Sequence, residues 1–198
     1  MLSTDNHPHP TWTRSLQAAI DVVRADGLAE LTTRAIARRS GLTQPAIYRH
    51  FSGKDELVSA VLGEIRQEVY ARLERAAVNE NVRDRLLASL RVFRDYAIEE
   101  PRLFDALFLQ TGEGLPLPPP IDPARGGNIF GALATRVTES AEAGILRSSG
   151  PVATALTLAA HSQGLALLYR QGRFGSAERF AEFFERSIAD LVAALGSP

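Results

Sequence analysis

The chain is predicted to be all-α, with a small N-terminal helical lobe joined to a larger C-terminal bundle. Three observations support this. Apolar residues recur at helical spacing in nearly every window, and no stretch reads as a sheet. Residues 31–54 hold two short helical patterns joined by a small-residue turn. That stretch also carries five basic residues, Arg34, Arg38, Arg39, Arg49 and Lys54, and no acid.

Composition sets the outer bounds. The 198 residues suit one medium domain or two lobes sharing an element, and 45% apolar content is enough for a real core. With no cysteine there are no disulfides, thiolate metal sites or thiol nucleophiles. No window approaches about eighteen unbroken apolar residues. The N-terminus has no apolar signal core, so a cytoplasmic protein without a membrane partner is expected. Net charge is −1, but residues 1–57 hold seven basic and six acidic groups, with all the excess inside 31–54. Contact with nucleic acid must therefore be local. Twenty-one of the 22 basic residues are arginine throughout the chain, so arginine richness alone says little about DNA.

Residues 1–10 are polar and read as a disordered tail. Residues 12–26 form the first helix, with Leu16, Ala19, Ile20 and Val23 on one stripe and Gly27 as its stop. Thr32 or Thr33 can cap the next helix, 34–40. Gly41 ends that helix, Leu42 is a buried pin, and Thr43 caps a third helix with Pro45 in its first turn. At about 100° per residue, Ile47 and Phe51 fall together as a core face. Gln44, Pro45, Tyr48 and Arg49 form an outer arc, with Ala46 and His50 just beyond it. Such amide, phenol, guanidinium and imidazole groups bond phosphate oxygens and base edges. This is a helix-turn-helix pattern.

Ser52 starts a fourth helix, with Asp55 as its capping-box partner. Leu57, Val61, Ile65, Val69 and Leu73 recur every four residues in it, which makes it the link between the lobes. A fifth helix spans 82–99 and a short sixth starts at Pro101. Residues 111–122 are a proline-stiffened loop, and a seventh helix lies within 123–143. The eighth, 151–171, is apolar nearly all round and needs cover on every side. The ninth is capped by Ser176 and carries Phe180, Phe183, Phe184, Ile188, Leu191 and Leu195. The division is a tail at 1–10, a helix-turn-helix domain at 11–56 and a bundle at 57–198. Gly112-Glu113-Gly114 lacks a third glycine and is no dinucleotide fingerprint. G-x-S-x-G, H-E-x-x-H and P-loop motifs are absent, so neither an enzyme nor a metal protein is expected.

The run TTRAIARRSGLTQPAIYRHFSGKDEL, residues 32–57, resembles the N-terminal signature of TetR-family transcriptional regulators. The Thr-Thr-Arg opening, the Ser40–Thr43 turn, the run from Ile47 to Phe51 and the Lys54–Leu57 helix start carry the likeness together. The remainder fits the family by its helical pattern and length. By position, the resemblance implies phosphate contacts from Thr33, Tyr48, His50 and Lys54. It implies base contacts from Arg34, Gln44 and Pro45, with Arg49 able to make either and Ala46 alongside. Thr43 can offer a backbone N–H to phosphate.

The resemblance also implies a symmetric homodimer through the last two helices and a palindromic operator on double-stranded DNA. Leu158, Leu168, Phe180, Phe184, Ile188 and Leu191 are the interface candidates, although the same two helices could instead complete a monomeric core. The resemblance implies a small-molecule effector enclosed by helices four to eight. Its candidate walls are Phe93, Tyr96, Phe104, Phe108, Phe130, Leu133 and Leu165. Asp105, Gln110, Arg136, Thr157, His161 and Gln163 are the polar candidates. His161 can serve the pocket, the dimer seam or the plain core. Few charges among the walls favour an apolar or aromatic ligand. A repressor released by that ligand is the expected function, with no other cofactor. Ligand-assisted repression, activation, or a helical module binding protein or lipid are the alternatives.

Overall fold

The computed structural model describes residues 10–109, 128–148 and 150–196. Most of the expected tail, Gln110, the proline-stiffened loop and the region of Pro123 lie outside the described residues. Among those residues there are nine α-helices and no strand. The first four are α1 (Pro10–Asp26), α2 (Thr33–Ser40), α3 (Gln44–Tyr48) and α4 (Lys54–Ala76). Then come α5 (Val82–Glu99), α6 (Pro101–Phe104), α7 (Ile129–Glu142), α8 (Pro151–Arg170) and α9 (Ala177–Ala194). The first helix thus takes in Pro10, a residue assigned above to the tail, because proline's fixed φ suits a first helical turn.

The N-terminal lobe packs α1 across α2 and α3. Leu16, Ala19, Ile20 and Val23 are buried with Leu31, Ile36, Ile47 and Phe51, and the Trp12 ring stacks on Phe51 at 6.4 Å. The α4 stripe of Leu57, Val61, Ile65, Val69 and Leu73 is wholly inside. At 1.5 Å per residue this helix is about 35 Å long, so it joins both lobes as one rod. Its start differs from the capping box expected at Ser52 and Asp55. Gly53 holds the N-cap position, and Glu56 Oε2 accepts from both the Ser52 backbone N–H and its hydroxyl, each at 2.6 Å. Glutamate, one methylene longer than Asp55 and one residue further on, reaches back where aspartate does not.

In the bundle, α5 lies against α4, α7, α8 and α9. Asn128 caps α7 through its side-chain oxygen, 2.7 Å from the Gly131 N–H, so that helix begins well after Pro123. Ser176 caps α9 as expected, accepting from Arg179 N–H at 3.3 Å. Beyond α6 the chain unwinds into a π-helical turn, Asp105–Leu109. Such turns persist where neighbouring contacts fix them. Here Phe108 sits 4.9 Å from Phe104 and 5.8 Å from Phe93, and Asp105 takes two bonds from Arg170, at 2.9 and 2.8 Å.

The expectation for α8 and α9 needs correction. Leu158, Phe180, Phe184 and Ile188 are fully buried inside one chain, so they belong to its core and not to a surface open to a partner. Phe180 stacks on Tyr169 at 4.5 Å and meets Phe184 edge-on at 5.7 Å. Leu191 is half-buried, and Leu168 is 42% exposed. The side of α8 left uncovered by its own chain is Ala153, Thr157, Ala160, Gly164 and Leu168, spaced three or four apart. By length and composition alone α8 could cross a membrane, yet its inner side packs on α5, α7 and α9.

An ionic joint fixes α9 to α5. Arg91 donates to Glu185 at 2.8–3.0 Å, Arg94 bonds the same carboxylate, and the Arg94 guanidinium lies 5.8 Å from the Phe184 ring centre. The Arg91 hydrogen bonds hold the Glu185 carboxyl below its ordinary 4.5, against desolvation. A carboxylate whose pKa is depressed by folding stabilises the fold above its unfolded pKa. That contribution is lost as pH falls through the lower folded value. Glu185→Gln is therefore expected to lower unfolding free energy by about 0.5 kcal/mol at neutral pH, a size set by solvent screening. The gap should close as pH falls well below 4.5. Urea unfolding of both proteins at neutral and acid pH checks this.

Candidate nucleic-acid interface

The helix-turn-helix is built from local chemistry. The Thr32 hydroxyl accepts from the Ala35 N–H at 3.1 Å and starts α2. Ser40 ends it twice over: its hydroxyl donates to the Ile36 carbonyl at 2.8 Å and accepts from the Leu42 N–H at 3.2 Å. Gly41 then turns the chain with φ of 69°, in the left-handed region that favours glycine. A Cβ there would also lie 3.4 Å from the Arg14 guanidinium. Gly41→Ala is expected to cost about 1 kcal/mol, read as a lower melting temperature and weaker DNA binding together. An unchanged melting temperature would mean that the turn relaxes without loss.

Helix α3 is shorter than its pattern suggested. It ends at Tyr48, and Arg49 and His50 continue as a turn. Thr43 holds the N-cap position, but its side chain makes no capping bond, which leaves the hydroxyl on the exposed side. Gln44, Pro45, Tyr48 and Arg49 are exposed, with Tyr48 at 56%. Ala46 departs from expectation: it is buried beside Ile47 on the inner side of a helix only five residues long, so it presents no face to DNA.

Three polar tips meet where α2 and α3 approach. The Thr33 hydroxyl lies 3.3 Å from Gln44 Oε1 and 3.4 Å from the Tyr48 hydroxyl. Sequence spacing could not show this contact, because residue 33 lies on α2 and residues 44 and 48 on α3. Arg34 at the start of α2, Arg49 after α3 and Lys54 at the start of α4 are all exposed. Among the described residues none of these three forms an ion pair. Arg39, by contrast, lies 3.6 Å from Asp26. The helix-turn-helix and the start of α4 thus expose cations outside any ion pair among the described residues, beside a phenol, an amide and a hydroxyl that meet one another. Such groups can hold a phosphate backbone and read base edges.

The other predicted site residues are dispersed. Phe93, Tyr96, Phe104, Leu133 and Leu165 are buried in the bundle, with Phe108 and Phe130 partly so. Arg136 is largely buried and is taken up in ion pairs, with Glu139 at 2.7 Å and Glu74 at 3.4 Å. Thr157 is exposed and bonds its own helix, at the Ala153 carbonyl. Asp105 is engaged by Arg170. Of the three places open to His161, the structure puts it between α8 and α9 of one chain, with Nε2 2.8 Å from the Ser187 hydroxyl. Two buried hydroxyls have no hydrogen-bond partner among the described residues, Tyr96 on α5 and Ser162 on α8. Burial pushes the Tyr96 phenol well above its ordinary pKa. Ser162 was not singled out from sequence. Its signal was a hydroxyl on the inward line of Ala155, Ala159 and Ala166. An open cleft of about 720 Å³ lies elsewhere, between α1 and α4, and none of the predicted pocket walls lines it.

Comparison with known proteins gives the lineage. Residues 16–61 match the family of bacterial regulatory proteins called the tetR family, and residues 86–191 match the tetracyclin repressor-like C-terminal domain. The chain belongs to the TetR family. A TetR-family regulator from Pectobacterium atrosepticum has the same fold, with a TM-score of 0.76 at 19% identity over 95% of both chains. The HTH-type transcriptional regulator Rv1816 of Mycobacterium tuberculosis is 28% identical over 130 residues, 64% of this chain. That match spans 56% of Rv1816, so it reaches little more than half of the relative's length. The nucleoid occlusion factor SlmA of Marinobacter nauticus is 26% identical over 184 residues, 91% of this chain and 90% of its own. The TetR-family N-terminal match contains every residue of the interface described above.

Proposed function

We propose that this protein is a sequence-specific DNA-binding transcriptional regulator, a homodimeric repressor released from a palindromic operator by a small apolar or aromatic effector. The observation that carries the reading is the surface on which Arg34, Arg49 and Lys54, exposed and outside any ion pair among the described residues, accompany the linked polar tips of Thr33, Gln44 and Tyr48. The reading takes residues 11–56 as the DNA-binding domain and 57–198 as the effector and dimer domain, with α4 continuous across the boundary. It places the protein in the cytoplasm, with DNA, and gives it no catalytic step.

Dimerisation runs through the uncovered side of α8. Ala160 and Gly164 on it are small enough for close helix approach, and Leu168 of α8 and Phe183 of α9, 42% and 44% exposed, offer apolar surface. A two-fold dimer sets two α3 helices toward successive major grooves about 34–36 Å apart. The effector enters among Phe93, Phe104, Phe108, Leu133 and Leu165, where the aromatic rings now touch one another. The Tyr96 and Ser162 hydroxyls supply polar anchors. A ligand preferring a separated arrangement of these walls shifts the lobes and weakens operator binding, about tenfold for each 1.4 kcal/mol of preference.

The test is selection of duplex DNA from a random pool by the purified protein, followed by a salt titration of the enriched duplex. The expected result is one palindrome, bound with affinity that falls steeply with salt as phosphate contacts release counterions. Association that is insensitive to salt, with no enriched sequence, would overturn the reading in favour of a protein- or lipid-binding helical module.

A further inference from the structure

We propose that Arg24 is a positioning residue that sets the angle of the DNA-binding lobe, and with it the half-site spacing the dimer accepts. The proposal rests on the dimeric operator-binding reading above. Helix α1 braces the helix-turn-helix near one end, through Trp12 and Leu16, and meets the bundle at the other. At that second end the Arg24 guanidinium gathers three carboxylates from three parts of the chain. Its Nε donates to both oxygens of Glu100, at 3.2 and 3.0 Å, where α5 gives way to α6. Its Nη1 lies 3.2 Å from Asp21 on α1, and its Nη2 lies 3.8 Å from Glu68 on α4. One residue along, Arg102 of α6 donates to the Ala25 carbonyl near the end of α1.

The joint continues on its other side. Arg72 of α4 bonds Glu68 at 3.2 Å and Glu99 at 2.6 Å, and its guanidinium lies 4.9 Å from the centre of the buried Tyr96 ring. Four carboxylates therefore surround two guanidinium groups. Removing the Arg24 charge leaves Asp21, Glu68 and Glu100 facing one another across α1, α4 and α5, and like charges at this range repel.

Helix α4 is the covalent link between the lobes. A single helix leaves the small lobe free to bend and to swing about that axis. A second attachment, off the axis at the end of α1, removes this freedom. Arg24 is 38% exposed, so its ion pairs add little to global stability. Their effect falls on orientation, which is what the spacing of two half-sites measures.

The test uses full-length protein and three duplexes: the selected palindrome, and the same palindrome with one base pair inserted or deleted at its centre. Wild type should prefer the selected spacing. Arg24→Gln should keep its melting temperature and its affinity for a duplex with one half-site, while the preference among spacings narrows by about fivefold or more. Arg24→Lys, which keeps a positive charge among Asp21, Glu68 and Glu100, should retain most of the preference. An unchanged ratio in Arg24→Gln, or an equal loss on all three duplexes, would overturn the assignment alone. A wild-type protein indifferent to spacing would overturn it together with the dimeric reading.

Discussion

Replacing Arg34 with alanine is expected to lower operator affinity by about a hundredfold or more. Arg34 projects from the first turn of α2, exposed and outside every ion pair among the described residues. Its removal leaves no buried group unpaired, so the melting temperature should hold. A bidentate contact with a guanine edge is worth about 1–3 kcal/mol, and a two-fold dimer makes the contact twice. The loss should appear at one base position of each half-site when variant duplexes are titrated at fixed salt. Tyr48→Ala should behave differently, weakening all sequences alike, because a phenol on phosphate carries position and not sequence. An Arg34→Ala protein that binds as wild type would remove the start of α2 from base reading.

Ala160→Arg is expected to halve the mass of the protein in solution and to lower operator affinity by about 10²–10⁴-fold. Ala160 lies on the uncovered side of α8, so a single chain can carry the larger side chain into solvent and still fold. In a helix–helix seam between two copies the same guanidinium would be buried without a partner. The second half-site would then be bound from free solution and not from an already tethered lobe, which is why affinity should fall with mass. Phe184→Glu makes the useful contrast. Phe184 is wholly buried against Phe180, so a charge there should unfold the chain. Light scattering and thermal melting on both variants separate the two effects. A dimeric Ala160→Arg protein would place the interface on another face.

Which parts of the molecule were legible in the sequence follows from the range of the forces involved. The caps at Thr32 and Ser176, the glycine turn at Gly41 and the every-fourth stripe of α4 depend on residues within a turn or two of each other. Sequence spacing describes such contacts fully. The inward faces of Ile47 and Phe51 came from the same periodicity, although α3 stops at Tyr48. Ala46 was misread because a five-residue helix set against α1 and α2 has little outer surface, and position 46 falls inside it.

Helix α9 shows the limit plainly. Its broad phenylalanine stripe said that one face is buried, but periodicity is silent on what buries it. In the folded chain Tyr169, Phe174 and α5 cover most of that stripe, Phe183 stays 44% exposed, and α8 also keeps an uncovered side. The pocket candidates divide for the same reason. Thr157 sits on a helical face that turns outward and Ser162 on one that turns inward, while the largely buried Arg136 is taken up by Glu139 and Glu74.

The all-helical class, the helix-turn-helix and the basic surface that faces away from the core were all readable from local pattern. Each of these depends on short-range hydrogen bonding, apolar period or local charge. Packing of the whole chain settled which side of α8 stays open, where His161 finds its Ser187 partner, and how Arg24 reaches Glu68 and Glu100. Those contacts join residues from 26 to 76 positions apart, brought together by helix packing, and no local pattern encodes the angle at which two helices meet.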